Sequence, residues 1–253
     1  MVAKTDLIRS ASMRDLLEEI AAELITTNVE NDEGYLSLPL LYPGGAGAVV
    51  RVRRDNDGYI VTDGGDGYRE AEHLGGESAY SRIAPVIAAQ HGVGFDGFSM
   101  FSTRVEREWL ANTVLFTGAA SKSAVDRTAE RLTEERQKKA KSTFKDRITE
   151  AFGKAASFDV EIRGASLRTY KFDARIQRGD HISIFELVMP HAASVNNAFV
   201  KLHDISRLDA DLTASVMLAN RAKMDAGEIT LLSSAAQHVI GLSDAKEVIL
   251  EAA

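Results

Sequence analysis

Residues 158–189 read FDVEIRGASLRTYKFDARIQRGDHISIFELVM. They divide into three β-type runs, 158–162, 168–176 and 181–189, rich in branched and aromatic residues. Downstream, the spacing predicts a helix over 194–208, strands over 212–218 and 228–232, and a short helical segment over 235–240. Upstream, residues 106–152 contain no proline, one glycine (Gly118) and dense charge alternation, which reads as one long helix or as two broken near 118–121. Taken with that helix, the second half has the order α-β-β-β-α-β, a mixed sheet flanked by helices.

The first half reads differently. Met13, Leu16, Leu17, Ile20, Leu24 and Ile25 recur at helical spacing over 12–26, opposite Glu18, Glu19 and Glu23, with Ser12 and Asp15 placed as an N-cap pair. Runs at 35–42, 49–53 and 58–62 read as an antiparallel meander, separated by the turn writers Pro43-Gly44-Gly45 and Asp55-Asn56-Asp57-Gly58. A helix over 78–90 contains Pro85, which removes an internal hydrogen bond or marks a kink. Residues 95–105 read as a further strand pair, and Trp109, Leu110, Val114 and Leu115 as the buried end of the long helix. The expected class is α+β: an N-terminal α+β domain over 1–105, a bridging helical segment over 106–153 and a C-terminal domain over 154–253.

Composition narrows the chemistry. Of 253 residues, 45% are hydrophobic and 26% charged, which excludes a disordered or collagen-like chain. There is no cysteine, so disulfides, thiolate metal sites and cysteine nucleophiles are excluded, and any metal would be held by His, Asp or Glu. No run approaches the eighteen or so apolar residues of a membrane span, and residues 1–10 lack an apolar signal core. The expected setting is cytoplasmic, with no membrane partner. Net charge is −7, yet residues 122–154 carry 10 basic against 6 acidic side chains. Within that stripe Lys138, Lys139, Lys141 and Lys145 are candidate nucleic-acid contacts. The acids interleaved over 126–135 fit ordinary i, i+4 pairing on a solvated helix instead.

Two apparent motifs dissolve on inspection. Asp63-Gly64-Gly65-Asp66-Gly67 lacks the Lys and hydroxyl of a P-loop and reads as a turn. Ser194, His191 and Asp204 lack a nucleophile-elbow setting, so no acyl-transfer triad is read from them.

Tyr170-Lys171-Phe172-Asp173 on one strand and Phe185-Glu186-Leu187-Val188 on the next, in that element order, resemble the PD-(D/E)XK restriction-endonuclease-like superfamily. The resemblance implies Mg²⁺ held by Asp173 and Glu186, with Glu150 as the helical acid. The superfamily's lysine position holds Val188, and Lys201 or Lys171 stands as the substitute basic group. With that position replaced, the leading expectation is a nuclease-like domain that no longer cleaves and acts by binding nucleic acid or a protein partner. An alternative is a Mg²⁺-dependent DNA or RNA phosphodiesterase. A third is a pure interaction protein that regulates or inhibits a larger host complex and forms a homodimer through the bridging helix. Across nearly the whole chain, Val61-Thr62-Asp63-Gly64-Gly65 followed by Phe172-Asp173 and Met189-Pro190 is similar to paired N- and C-terminal bacterial domains of unknown function, which implies a prokaryotic or mobile-element origin.

Overall fold

The computed structural model describes residues 12–208 and 212–253; the N-terminal stretch read for a signal core lies outside them. The chain is α+β and divides into two compact units, Met1–Glu134 and Glu135–Ala253.

In the first unit, α1 (Met13–Leu24) is capped by Ser12 and Asp15 in a reciprocal capping box. It leads into β1 (Thr26–Glu30), β2 (Glu33–Leu41), β3 (Gly47–Asp55) and β4 (Gly58–Thr62), then α2 (Asp66–His73), α3 (Glu77–His91), β5 (Gly94–Phe95) and β6 (Met100–Val105). The six strands form an antiparallel sheet in the order β1-β2-β3-β4-β6-β5. Strand β1 is additional to the runs expected at 35–42, 49–53 and 58–62. Its hairpin turns on Asn31 and Asp32, both at positive φ (50° and 61°), the two-residue geometry that matches strand twist and favours Asn and Asp. Helix α3 runs through Pro85 without ending.

Helix α4 (Leu110–Phe152) is continuous, so Gly118 does not break it. A Cβ on Gly118 would come within 2.2 Å of Leu38 Cδ1, and the glycine is what lets the helix lie close on β2. Val114 is buried, but Trp109 and Leu115 are more than half exposed, which corrects the expectation that they mark a buried end. Ala120, Ala124 and Val125 pack with Tyr42, Tyr80 and Met100 in the unit's core.

In the second unit, β7 (Ala156–Arg163), β8 (Thr169–Arg178), β9 (His181–Val188), α5 (Ala192–Ile205) and β10 (Leu212–Leu218) follow the end of α4, so the α-β-β-β-α-β order is realised. With β11 (His238–Gly241) added, the sheet order is β11-β10-β9-β8-β7, antiparallel from β7 to β9 and parallel from β9 to β11. One side of it packs on α5 through Ile184, Val188, Val195 and Leu202. The other packs on Phe144, Ile148 and Phe152 of α4.

The last two sequence expectations are reversed. Residues 226–233 form helix α6 (Ala226–Ser233), while the strand β11 lies at His238–Gly241 and is followed by α7 (Lys246–Glu251). Asp225 and Glu228 close a reciprocal capping box on α6, which outweighs the strand propensity of Ile229 and Thr230.

Candidate functional site

The second unit opens a cleft of about 320 Å³ where β8 and β9 part. Their pairing reaches Ala174↔Phe185 and goes no further toward Asp173 and Leu187. At this point β8 also changes the face it buries: Ala174 and Ile176 pack with α4, whereas Phe172 packs with α5. Backbone freed from the ladder needs other partners. Asp173 supplies one, its Oδ2 accepting the Leu187 N–H at 2.8 Å. The carboxylate thereby holds the parted strands in place and is itself held at the rim.

Glu186, next along β9, shares its strand face with Ile184 and Val188, both fully buried. Its own side chain is 7% exposed. A carboxylate carried into that environment requires a partner, and Lys201 on α5 provides it, its Nζ donating to Oε1 at 2.5 Å. Lys201 also donates to the Lys171 carbonyl at 2.8 Å and stands over the Phe172 ring at 5.7 Å. Two of its three donors are thus fixed. Glu186 Oε2 is buried with no hydrogen-bond partner among the described residues. Burial, together with the nearby Asp173 carboxylate, pushes Glu186 up to about 7 against the opposing pull of Lys201.

Lys171 does not join this group with its side chain. Its ammonium pairs with Asp159 at 3.0 Å, and Lys145 pairs with the other oxygen of Asp159 at the same distance. The two lysines hold the Asp159 carboxyl below the usual carboxylate range. Asp159 sits at positive φ (55°), in the register gap between Phe158↔Ala174 and Val160↔Phe172, which sets it opposite Asp173. No sequence signal singled it out, because its role depends on that local irregularity and on two lysines far apart in the chain.

The structure therefore brings Asp173, Glu186, Lys201, Lys171 and Lys141 to one cleft, with Asn197 and Ser194 also lining it. Glu150 lies elsewhere: exposed on α4, with Lys246 at 3.9 Å and no place in the cleft lining. Lys138 and Lys139 are exposed on the same helix. Earlier in α4, Lys122 pairs with Asp126, and Arg127 with Glu130 at 2.8 Å, the local pairing expected of a solvated helix. His191 caps α5, accepting the Ser194 N–H at 3.2 Å, and Asp204 accepts from Ser166 N and Oγ at 3.0 and 2.6 Å. Those side chains are spent on loop and helix ends.

Two carboxylates, one with a buried oxygen left over, suit a hard divalent cation such as Mg²⁺. No group of three or more His, Cys, Asp or Glu side chains suited to a metal occurs among the described residues. The remaining ligands would have to be backbone oxygen, water or phosphate, as is usual for Mg²⁺. No protein-family model matches the chain, and no curated protein matches it. Among the described residues no helix is long and apolar enough to cross a membrane.

Proposed function

We propose that the second unit is a divalent-cation-dependent phosphodiesterase acting on nucleic acid, with Asp173 and Glu186 holding the cation and Lys201 supplying the basic group. One observation carries the reading: Lys201 Nζ lies 2.5 Å from Glu186 in the cleft that Asp173 lines. The resemblance to PD-(D/E)XK enzymes left the lysine position to Val188, whose side chain is fully buried in the core. A lysine from the adjacent helix brings an ammonium to the same carboxylate by another route.

Once bound, the cation would polarise the scissile phosphate and neutralise part of its charge. The chain's own groups do the rest. Asp173 and Glu186 set the position of the charge, and Lys201 has one donor left for a phosphate oxygen. The exposed Lys138, Lys139 and Lys141 offer salt-dependent attraction to the backbone on either side. The proposal carries with it a cytoplasmic, prokaryotic setting.

The test is cleavage of supercoiled plasmid, single-stranded DNA and RNA in Mg²⁺ or Mn²⁺ against EDTA. Cleavage that needs the cation and disappears in Asp173→Ala, with the fold retained by circular dichroism, is the expected result. No cleavage of any substrate by the wild-type chain sinks the reading. A second reading, nucleic-acid binding without cleavage, is favoured by the lysines exposed over 138–145. It predicts retention of the same substrates with a steep salt dependence, weakened by charge reversal at Lys138, Lys139 and Lys141.

A further inference from the structure

Helix α1 buries none of its residues. Met13, Leu16, Leu17, Ile20 and Leu24, with Ile25 and Val29 beyond, are each 43–72% exposed. A capped 12-residue helix standing in water is marginal by itself, so its apolar stripe needs a cover. The strand it leads into, β1, is a sheet edge whose five residues are all exposed. Natural edges are blunted by shortness, bulges or charge, and the other described edges conform. Strand β5 has two residues, β11 has four, and β7 alternates Asp159, Glu161 and Arg163 outward with an irregularity at Asp159. Strand β1, Thr26-Thr27-Asn28-Val29-Glu30, has no lysine, proline or bulge.

We infer that this surface is a homodimer interface, in which α1 and β1 of one copy pack against α1 and β1 of a second. Three observations select a second copy. The first is area: seven half-exposed aliphatic side chains at roughly 100 Å² each exceed what a monomer commonly leaves open. Doubled over two copies, they reach the range of about 1,200–2,000 Å² typical of stable interfaces.

The second is self-complementarity. Met13, Leu17, Ile20 and Leu24 follow alternating spacings of four and three, the seam of a helix pair. Set antiparallel, the seam places Met13 against Leu24 and Leu17 against Ile20. Likewise β1 paired with itself about Asn28 sets Glu30 against Thr26 and Val29 against Thr27, with no like charges opposed.

The third is charge. Asp15, Glu18, Glu19 and Glu23 outnumber Arg14 on the polar side of α1, which repels an anionic membrane or a nucleic acid, whereas such surfaces attract helices with basic polar faces.

The test is sedimentation equilibrium of the full chain at tens of micromolar, alongside the double variant Leu17→Glu/Ile20→Glu and the single variant Val29→Lys. The expected result is a dimeric wild type, with association weakened at least tenfold in both variants and unchanged thermal melting of the dissociated chains. A monomeric wild type overturns the inference, as do variants that remain fully dimeric, which would move the contact to another surface such as α4. Should the double variant fail to fold, Val29→Lys decides alone. Binding of the wild type to phosphatidylglycerol vesicles, lost in the same variants, would also overturn it.

Discussion

Asp63→Asn is expected to destabilise the first unit by about 3 kcal/mol or more, lowering its thermal midpoint by on the order of 10 °C, and Asp63→Ala by at least as much. The side chain is fully buried and accepts four hydrogen bonds. Oδ1 takes the Gly65 and Met100 N–H groups at 3.0 and 2.9 Å, and Oδ2 takes the Gly67 N–H at 3.3 Å and the Ser121 hydroxyl at 2.6 Å. An asparagine amide, whichever way it is turned, sets its NH₂ against at least one backbone N–H that can only donate: Gly65 and Met100 on one side, Gly67 on the other.

The glycines around it leave no room for rearrangement. Gly65 has φ 79°, with a Cβ there 2.0 Å from Phe98, and a Cβ on Gly67 would be 2.5 Å from Ser121 Oγ. Burial raises the Asp63 carboxyl against the four bonds that favour its charge. A carboxyl raised in the folded state contributes most to stability below its unfolded pKa and loses that contribution as pH rises. The unit should therefore lose some stability from acid toward neutral pH, and this dependence should vanish in Asp63→Asn. Urea denaturation of both proteins at two pH values checks it. A change below 1 kcal/mol on substitution would mean that the turn is held by something else.

Lys201→Ala is expected to lower cleavage by at least 100-fold, the scale of a lost charge partner at the reacting phosphate, with Lys201→Arg retaining part of the rate. The pH profile separates this role from a merely structural one. Glu186 stands at about 7 and must be ionised to hold a cation, so the wild-type rate should rise through neutrality and level off above it. Removing Lys201 takes away the group that lowers Glu186, and the residual activity should rise only at higher pH. The stability linkage has the opposite sign. Glu186, raised from 4.5, favours folding most at acid pH and loses that contribution as pH rises through about 7. An unchanged pH midpoint in Lys201→Ala would detach the lysine from Glu186.

Much of the second unit was legible because its strands alternate and its order is regular. Asp173 and Glu186 were singled out by the resemblance to the PD-(D/E)XK superfamily, which that order and their two strands carry. Lys201 could be named only as one of two basic groups, since the choice rests on Lys171 being drawn to Asp159 by the irregularity in β7. The α6 and β11 reversal shows where apolar runs mislead. Ile229 to Leu232 fit either element, and the deciding signal was the Asp225 and Glu228 spacing at the helix start. In the first unit Asn31-Asp32 is a hairpin signal that the sequence does carry, both residues taking positive φ between β1 and β2. Helix propensity makes Gly118 a candidate break, whereas its position is set by the approach of Leu38. That approach belongs to tertiary structure and leaves no trace in the local sequence.

That Asp173 and Glu186 hold one cation between them is tested most directly by Mn²⁺ binding, followed by calorimetry or electron paramagnetic resonance at pH 8, where Glu186 is ionised. The predicted result is one site per chain, weakened at least tenfold in Asp173→Asn and in Glu186→Gln alike, with both variants still folded. Identical Mn²⁺ binding by the wild type and both variants would contradict it.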